Sequence, residues 1–367
     1  MGIPLIRTTN LREGKLDLEG LIFVTESFHK KNKKSQLLAN DLLIARHGNH
    51  GQACLVPANL GEANCLNIVI VRPDQKCVSP NFMLDLFNFT IQKELSSKAA
   101  GSTQTVVNTK EIAKQIVIIP SLPEQNKIAK ILSTWDKAIT TTEQLLVNSQ
   151  QQKKVLIQQL LTGKKRLLDN NGVRFSGAWK RWPLSSLVSL GKGKFDPKAS
   201  NDMRECIELE HISQGTSTIL GSTTTHESIS TKSVFEKGSV LFGKLRPYLR
   251  KYWMSDRDGV CSTEIWVLNA KEGRVIPEYI FQIVQMDLFI ESANKSSGTH
   301  MPRADWNIVK DISIPTPSVE EQLKIATVLS TADQAIIALQ QKLDALKQEK
   351  KALMQQLLTG KRRVKNF

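Results

Sequence analysis

Two stretches of the chain carry apolar residues at alternating spacings of four and three, the pattern of a helix that packs lengthwise against another helix. They span residues 121–166 and 318–367. Neither glycine nor proline interrupts residues 124–162, so the first stretch predicts a rod of roughly 60 Å. The apolar positions predicted to form the seam of the helix pair are Ile128, Leu132, Ile139, Leu146, Leu156, Leu160, Ile325, Leu329, Ile336, Leu339, Leu343, Leu353 and Leu357.

The two stretches are copies of one sequence. A shift of 197 positions aligns residues 124–166 with 321–363 without a gap, and about 25 of the 43 aligned residues are identical. Each copy opens on Ser-x-x-Glu, a capping-box pattern that marks a helix N-terminus. Each closes on Leu-Leu-Thr-Gly and basic residues, which suit a glycine C-cap and the negative end of the helix dipole. Such a duplication predicts two similar helices with separate segments between them.

The segments outside the helices predict mixed, β-rich domains, because they contain strand-forming runs that meet basic, turn-forming loops. The predicted order is a first domain at 1–120, a first helix at 121–166, a second domain at 167–317, and a second helix with a basic tail at 318–367. Weak similarity relates residues 4–18 to 206–220, 41–57 to 239–255, and 96–108 to 292–305. The fold class is therefore α+β with a pseudo-twofold internal repeat.

The chain order fixes the direction of the helices if they pair with each other. The first helix leads out of the first domain into the second, and the second helix begins where the second domain ends. Paired helices are then antiparallel, with one domain near each end. The alternative is a homo-oligomeric coiled coil that each helix forms separately.

The charge of the chain points to a polyanionic partner. Lysine and arginine number 50 against 35 acidic residues, which gives a formal net charge of +15. Such a balance favours nucleic acid or an anionic membrane surface, and simple solubility is the alternative. No apolar run approaches the length needed to cross a bilayer, and no signal peptide opens the sequence. The five scattered cysteines, without a C-x-x-C pair, favour reduced thiols in a cytoplasmic protein.

Catalytic motifs are absent from the sequence. No Asn/Asp-Pro-Pro-aromatic run is present to hold an adenine, and residues 191–195 lack the spacing and final Ser/Thr of a phosphate-binding loop. His47, His50 and Cys54 lie close together, but a polar loop is favoured over a metal site because no second ligand pair accompanies them. Residues 72–76 are predicted to form a turn. We therefore expect no catalytic residue, metal or cofactor in this chain.

DNA binding is predicted to rest on basic loops, since Lys and Arg neutralise phosphates and Arg, Asn and Gln also reach base edges. In the first domain the candidates are Lys30, Lys31, Lys33 and Lys34 for phosphates, with Arg46, His47, Asn49 and Gln52 for bases, and Thr103 and Gln104 as further candidates. In the second domain they are Lys244, Arg246, Tyr248, Arg250 and Lys251, with Lys295, Thr299, His300 and Arg303 as further candidates. An alternating strand would place Lys244, Arg246, Tyr248 and Arg250 on one face. A solvated turn is the alternative for each.

The paired runs "IPSLPEQNKIAKILSTWDKAI" and "IPTPSVEEQLKIATVLSTADQAI", the "QQLLTGK" endings and "VLFGKLRPYLRK" resemble the specificity subunit of type I restriction-modification enzymes. The resemblance covers essentially the whole chain. It implies that two target-recognition domains each read one half of a split site in double-stranded DNA, and that the two helices separate them as a ruler. Because the candidate base-reading residues differ between the domains, the target is expected to be asymmetric.

The resemblance also implies the partners of the chain. Two modification subunits would dock on it and bring the adenine-N6 methyltransferase and its S-adenosylmethionine, and a restriction and motor subunit would join the full complex. The chain itself would be non-catalytic. The alternatives left open are a self-contained DNA methyltransferase or nuclease, and a coiled-coil adaptor that makes no contact with DNA.

One departure from the family pattern concerns the first domain. The second domain begins with a Trp…Leu segment at residues 179–200, "WKRWPLSSLVSLGKGKFDPKAS", ahead of its first strand. The first domain starts almost at the corresponding strand, "GIPLIRTTN". We therefore expect the first domain to lack its N-terminal segment.

Overall fold

The structure is a computed structural model that describes residues 2–12, 14–46, 53–91, 109–200, 202–225, 230–295 and 302–364. The chain folds as two units that do not follow the chain order. The first unit comprises Met1–Thr142 and Lys342–Phe367, and the second unit is Glu143–Gln341. Each unit therefore combines a domain with the beginning of one long helix and the end of the other. The four-segment division expected from the sequence stays a prediction.

The strands of the first unit are short, and most of them form two sheets of three strands. Its elements are β1 (Ile3–Arg7), β2 (Leu11–Arg12), β3 (Lys15–Leu16), β4 (Ile22–Val24), α1 (Glu26–Lys31), β5 (Leu42–Ala45), β6 (Ala53–Leu55), β7 (Asn64–Leu66), β8 (Ile68–Val71), α2 (Pro80–Leu86), α3 (Thr109–Ala113) and the first part of α4 (Leu122–Leu160). The sheet orders are β4-β1-β7 and β6-β5-β8, with β2 and β3 as a hairpin. Every residue of β5 is buried because its two faces serve different cores. Leu43 packs with Ile6, and Ile44 packs with Phe87.

The second unit contains larger sheets around one main core. Its elements are β9 (Lys180–Pro183), α5 (Leu184–Leu187), β10 (Val188–Leu190), β11 (Lys194–Phe195), β12 (Glu205–Ile207), β13 (Thr223–Thr224), β14 (Lys232–Phe235), β15 (Val240–Gly243), β16 (Tyr252–Met254), β17 (Gly259–Cys261), β18 (Ile265–Ala270), α6 (Pro277–Ile283), α7 (Asp287–Asn294), α8 (Trp306–Val309), β19 (Ser313–Thr316) and most of α9 (Val319–Leu357). The sheet orders are β10-β18-β15-β16, β11-β14-β17-β12-β13 and β19-β9. Phe242 and Phe289 meet edge to face in the core.

The domains repeat the same strand pairings, which confirms the internal repeat and the α+β class. In the first, β5 pairs antiparallel with β6 and β8; in the second, β15 pairs antiparallel with β16 and β18. The parallel pair β1–β7 corresponds to β12–β17. A short 3₁₀ turn follows the first strand of each set, at Thr8–Asn10 and at Leu209–His211.

The two long helices pack against each other in antiparallel fashion within each unit. In the first unit, Ile128 and Leu132 near the start of α4 form a cluster with Leu357 near the end of α9. In the second unit, Leu160 at the end of α4 lies in one cluster with Ile325 near the start of α9. All thirteen predicted seam positions are buried or half-buried. The antiparallel arrangement expected from the chain order is thus confirmed.

A buried glutamine at the start of each long helix fastens the helix to its domain. Gln125 accepts a hydrogen bond from the Ser79 N–H at 2.8 Å and donates to the Cys77 carbonyl at 2.9 Å. Gln322, its counterpart, accepts from the Ile276 N–H at 3.1 Å and donates to the Arg274 carbonyl at 2.8 Å. Both glutamines are 0% exposed. Since unsatisfied buried amides are costly, these bonds define where each helix begins.

The capping-box glutamates each bind an arginine that lies beyond the end of the other long helix. Glu321 binds the guanidinium of Arg166 through both oxygens, at 2.6 and 2.7 Å. Glu124 binds Arg363 in the same way, with a shortest distance of 2.7 Å. Each arginine follows the C-terminal end of the other long helix. At the start of the second helix the Ser318 hydroxyl accepts a hydrogen bond from the Glu321 N–H at 3.4 Å, as the capping-box pattern predicts. Each carboxylate binds an arginine, because a bidentate arginine is a strong partner for a carboxylate.

The helix ends confirm the predicted glycine caps. Gly163 has φ of 75° and Gly360 has φ of 72°, in the left-handed region that glycine adopts at least cost. Beyond each glycine the chain turns back in the same way, since the Lys165 N–H donates to the Gln159 carbonyl and the Arg362 N–H to the Gln356 carbonyl, each at 3.0 Å.

A lysine interrupts the apolar seam of each helix and pairs with an aspartate of the other helix. Lys153 binds Asp333 and Gln285 in the second unit, and Lys350 binds Asp136 at 2.5 Å in the first. The two pairs differ in burial: the side chains are 9% and 14% exposed in the second unit, but 19% and 51% exposed in the first. Burial raises the pKa of Asp333, and Lys153 opposes that rise. Removal of one partner is therefore expected to cost far more in the second unit.

This contrast predicts unequal effects of two equivalent substitutions. Lys153→Ala should lower the free energy of unfolding by about 3–5 kcal/mol, because it leaves a carboxylate buried without its cation. Lys350→Ala should lower it by less than about 1 kcal/mol, since that pair is partly in water. Denaturant unfolding of the two variants measures both values. Equal losses would contradict the difference in burial.

A second prediction concerns Asp85, which occupies the position of Gln282 in the other copy. Burial, reinforced by Asp136 and opposed by Lys350, raises the pKa of Asp85 to about 7. The folded chain then binds this proton more tightly than the unfolded chain, so its contribution to stability falls as pH rises from about 4 to about 7. Asp85→Gln should remove this fall and stabilise the chain by up to about 4 kcal/mol at pH 8. The free energy of unfolding, measured across pH for the native and Asp85→Gln chains, tests this prediction. Glu272→Gln, at an exposed position, is the control. If the free energies of the native and Asp85→Gln chains change with pH in parallel, the prediction is refuted.

Candidate nucleic-acid interface

The densest basic cluster of the second domain lies on a turn and not on a strand. β15 ends at Gly243, and a 3₁₀ turn follows at Pro247–Leu249. Arg246 and Arg250, on either side of the turn, have φ of 53° and 52°. An alternating strand, which would place Lys244, Arg246, Tyr248 and Arg250 on one face, therefore does not form, and the basic, turn-forming loop predicted for this run is found. Pro247 cannot donate to a strand ladder, and the two left-handed arginines reverse the chain direction.

Specific backbone bonds hold this turn in its strained shape. The Arg246 N–H donates to the Pro302 carbonyl at 2.8 Å, and the Gly215 N–H donates to the Arg250 carbonyl at 3.1 Å. Left-handed backbone at non-glycine residues costs roughly 1–2 kcal/mol each. Such strain persists only where the surroundings impose it, and it recurs at binding sites.

Some of the predicted cations on this turn make contacts within the protein, and others are exposed. Arg250 binds Asp287 at 2.5 Å, and Lys251 donates to the Leu209 carbonyl at 2.6 Å. Lys244 is half-buried. Arg246 is exposed, as is Tyr248 at 51%. Arg250 and Lys251 thus stabilise the turn, and Arg246 and Tyr248, on either side of buried Pro247, face solvent.

Two clusters that are far apart in sequence meet at this turn. Leu245 forms a β-bridge with Arg303, and the Ala304 N–H donates to the Lys244 carbonyl at 2.7 Å. The Arg303 side chain is 57% exposed and makes an ion pair with Glu264 at 3.0 Å. Lys295, at the end of α7, is exposed. Thr299 and His300 lie outside the described residues, so their predicted role is untested.

The four predicted phosphate-binding lysines of the first domain lie together on an exposed segment. Lys30 and Lys31 end α1, and Lys33 and Lys34 begin the 3₁₀ turn that follows; all four are exposed. Lys30 makes an ion pair with Glu26 at 2.6 Å. Exposed pairs of this kind contribute little to stability, so the segment presents its cations to solvent.

The residue that positions this basic segment is one that the sequence did not single out. Asn64 is fully buried. Its side-chain oxygen lies 2.6 Å from His29 Nδ1, and its amide donates to Ser35 Oγ at 2.7 Å and to the Asn32 carbonyl at 3.3 Å. One buried side chain thus fixes three points of the lysine-bearing segment. Its partners are about 30 residues away in sequence, and no local motif indicates them.

The remaining candidates of the first domain are mostly outside the described residues. Arg46 is half-buried, and its N–H donates to the Asn67 carbonyl at 3.3 Å. The other candidates, which fall in undescribed segments, are His47, Asn49, Gln52, Thr103 and Gln104. Their predicted contacts with DNA stay predictions.

The described ranges contain no group of three or more His, Cys, Asp or Glu side chains that could hold a metal ion. All five cysteines are free thiols, and four of them are buried. Burial raises the pKa of the Cys54 thiol to about 12, so it is not a poised nucleophile. In the same ranges, no helix is long and apolar enough to cross a membrane. Both domains present exposed cations on or beside turns, and such side chains can bind the phosphates of a polyanion.

A model of one protein family, described as the type I restriction modification DNA specificity domain, matches residues 1–149 and again 178–348. The two matches together cover most of the chain. The chain belongs to this family. Each match contains one domain and most of the helix that follows it, so the duplication seen in the sequence is a duplication of the specificity domain.

Relatives and a solved structure agree with this assignment. The chain is 24% identical to the type I restriction enzyme MjaVIII specificity subunit of Methanocaldococcus jannaschii, over 99% of this chain and 87% of the relative. It is 26% identical to the EcoDI specificity subunit of Escherichia coli, over 64% of this chain and 58% of the relative. The type I restriction-modification system S subunit from M. genitalium shares the fold, with a TM-score of 0.59 at 13% identity over 97% of this chain and 88% of that one.

The function of the specificity subunit follows from its family. It is the DNA sequence-recognition subunit of a type I restriction-modification system, and it is a non-catalytic component of that system. The exposed cations of the two domains are therefore candidates for contacts with DNA.

Arg246 allows a test that separates its side chain from its backbone. Arg246→Gly keeps the left-handed conformation, which glycine adopts freely, and removes the guanidinium. We expect unchanged or slightly higher stability but a loss of about tenfold or more in affinity for target DNA in the assembled complex. Fluorescence anisotropy at several salt concentrations measures it. If Arg246 contacts a phosphate, its removal should also lower the steepness of the salt dependence by about one.

Lys180→Ala serves as the control, because Lys180 is exposed on β9, in a different sheet from the Arg246 turn. If both variants bind target DNA as the native chain does, Arg246 makes no contact that matters for binding.

Proposed function

We propose that this specificity subunit reads a bipartite, asymmetric target in double-stranded DNA, each target-recognition domain reading one half. The observation that carries the proposal is a repeated frame with unlike surfaces. The two domains share strand pairings and the same glutamine anchor, but one presents lysines on a short helix and the other presents Arg246 and Tyr248 on a strained turn. Different side chains at a groove read different bases.

The two long helices are the proposed docking surface for two modification subunits. Exposed positions need not match for the helices to pair, yet several are identical in the two copies: Gln151 and Gln348 are both exposed, and so are Gln158 and Gln355. Equal surfaces bind equal partners. This supports two copies of one partner, each contacting one copy of the duplicated helix surface.

The chemistry is assigned to those partners. The modification subunits would carry S-adenosylmethionine and flip the target adenine out of the duplex before methylating it. A restriction and motor subunit would complete the complex. The specificity subunit would contribute the positions at which the DNA is held, through phosphate contacts, and the choice of sequence, through base contacts.

An exchange of one domain tests the bipartite reading. Residues 178–318 are replaced by the matching domain of another specificity subunit with a different target, and both long helices keep their native length. Mapping of methylated adenines in DNA from cells with the complete system should then show one half-site changed, with the other half-site and the spacing retained.

The reciprocal exchange of residues 1–120 is the matched control and should change the opposite half-site. A change of both half-sites by either exchange would refute the assignment of one domain to each half, as would a target that neither exchange alters while methylation persists.

A further inference from the structure

One segment of the second unit supplies an edge strand to each of the three sheets described there. This edge segment comprises residues 179–195. Its β9 pairs with β19, its β10 with β18, and its β11 with β14. Between the first two strands, α5 buries Leu184 and Leu187 completely in the main core. The edge segment is therefore an integral layer of the second domain.

The first unit contains the equivalents of the strands that accept β9 and β10. A shift of 197 positions places residues 116–119 on β19, and equivalent pairings place β8 on β18. β18 lies inside its sheet, between β10 and β15, whereas β8 is the last strand of its sheet. Among the described residues, no strand pairs with residues 116–119. Two edges that are covered in one copy are thus uncovered in the other.

The side chains of this edge show the same difference. Ile116 is 98% exposed, Ile118 is 65% exposed and Ile119 is 42% exposed, while Val117 packs inward against two core clusters. Residues 116–118 alternate outward, inward and outward, as in a strand with one face on the core, and Ile119 is exposed as well. In the second unit, Thr316, the counterpart of Ile119, is 6% exposed. A run of large apolar side chains on an unpaired edge marks an interaction site.

The glutamate–arginine pairs differ in the same direction. In the second unit, the Trp179 indole donates to Glu321 at 3.0 Å and its ring lies 5.3 Å from the Arg166 guanidinium. The Arg166 side chain is only 20% exposed. Arg363, in the equivalent pair of the first unit, is 68% exposed. The surface beside residues 116–119 thus has the charged pair that an indole covers in the other copy.

The geometry points to a docking site for a partner polypeptide: residues 116–119 and β8 of the first unit accept an added strand with the chemistry of residues 179–190. That chemistry is a tryptophan and two basic residues followed by Trp-Pro-Leu-x-x-Leu. The internal repeat argues for this occupant, because it shows the same edge filled by such a segment. Strand addition of this kind gives affinity through backbone bonds and specificity through side-chain pockets.

Two prolines reveal which backbone groups would bind the added strand. In the pairing of β19 with β9, Pro315 lies opposite Arg181 and Ser313 lies opposite Pro183. Proline has no N–H, so these are the pairs that do not exchange hydrogen bonds, and the N–H groups of Ile314 and Thr316 face β9. Their counterparts in the first unit are Val117 and Ile119. The counterpart of Pro315 is Ile118, whose N–H would face away from the partner.

A matched pair of variants follows from this register. Ile119→Pro removes an N–H that the added strand needs, and Ile118→Pro removes one that it does not need and copies the residue of the second unit. Both positions are exposed in the chain, so both variants are expected to fold, which circular dichroism and thermal unfolding check. The probe is a labelled synthetic peptide with the sequence of residues 178–191, and the control peptide carries Trp179→Ala and Leu187→Ala.

We expect saturable binding of the peptide to the full chain by fluorescence anisotropy. Hydrogen exchange should slow at residues 115–119 and at β8. The control peptide and the Ile119→Pro chain should each bind at least about tenfold more weakly, and the Ile118→Pro chain should bind as the native chain does.

Three results would overturn the proposal. The first is no binding of the peptide to the native chain. The second is equal binding by the control peptide, or equal weakening by the two proline variants, since either shows that the edge is not read as a strand. The third is amide exchange at Val117 and Ile119 in the chain alone that is already as slow as at Ile314 and Thr316. None of these results bears on whether two domains read two half-sites, so the two proposals fail separately.

Discussion

A buried carboxylate at the start of each long helix is the constraint on which the structure depends. Glu124 and Glu321 are almost completely buried, and a buried carboxylate is stable only with a well-placed cation. The cation comes in each case from an arginine beyond the end of the other helix. The two helices therefore cannot shift along each other without separating charge from charge. The neighbouring glutamine ties the same point to its domain, so helix register and domain attachment are fixed together.

Duplication has kept this frame and has changed what surrounds it. The Lys–Asp pair is buried in one unit and partly wet in the other, and Gln282 in one copy is Asp85 in its counterpart. The surfaces with exposed cations differ still more. This combination suits the proposed function, in which the frame meets the same partner twice while the two domains recognise different sequences.

The sequence predicted the features that depend on periodicity and repetition. It did not predict the roles of residues whose contacts are distant in the chain. The helix seam, the antiparallel direction, the glycine caps and the α+β class follow from spacing that can be read locally. The role of Glu321 does not, because its arginine lies 155 positions away. The sequence left both a turn and an alternating strand open for residues 244–250, and the contacts of Arg246 with Pro302 and of Arg250 with Asp287 decide for the turn. The role of Asn64 could not be predicted for the same reason, because no local sequence pattern indicates its three partners.

The composition of the first unit has a consequence for the order in which the chain folds during synthesis. The second unit is continuous, so all of its residues are present once the ribosome has passed Gln341. The first unit needs residues 342–367 to complete its helix pair and to neutralise Glu124. Closing such a long loop is slow, and apolar surface stays uncovered until it happens. The domain that is made first is thus the last to mature, and it is the one most exposed to aggregation and to chaperones in the interval.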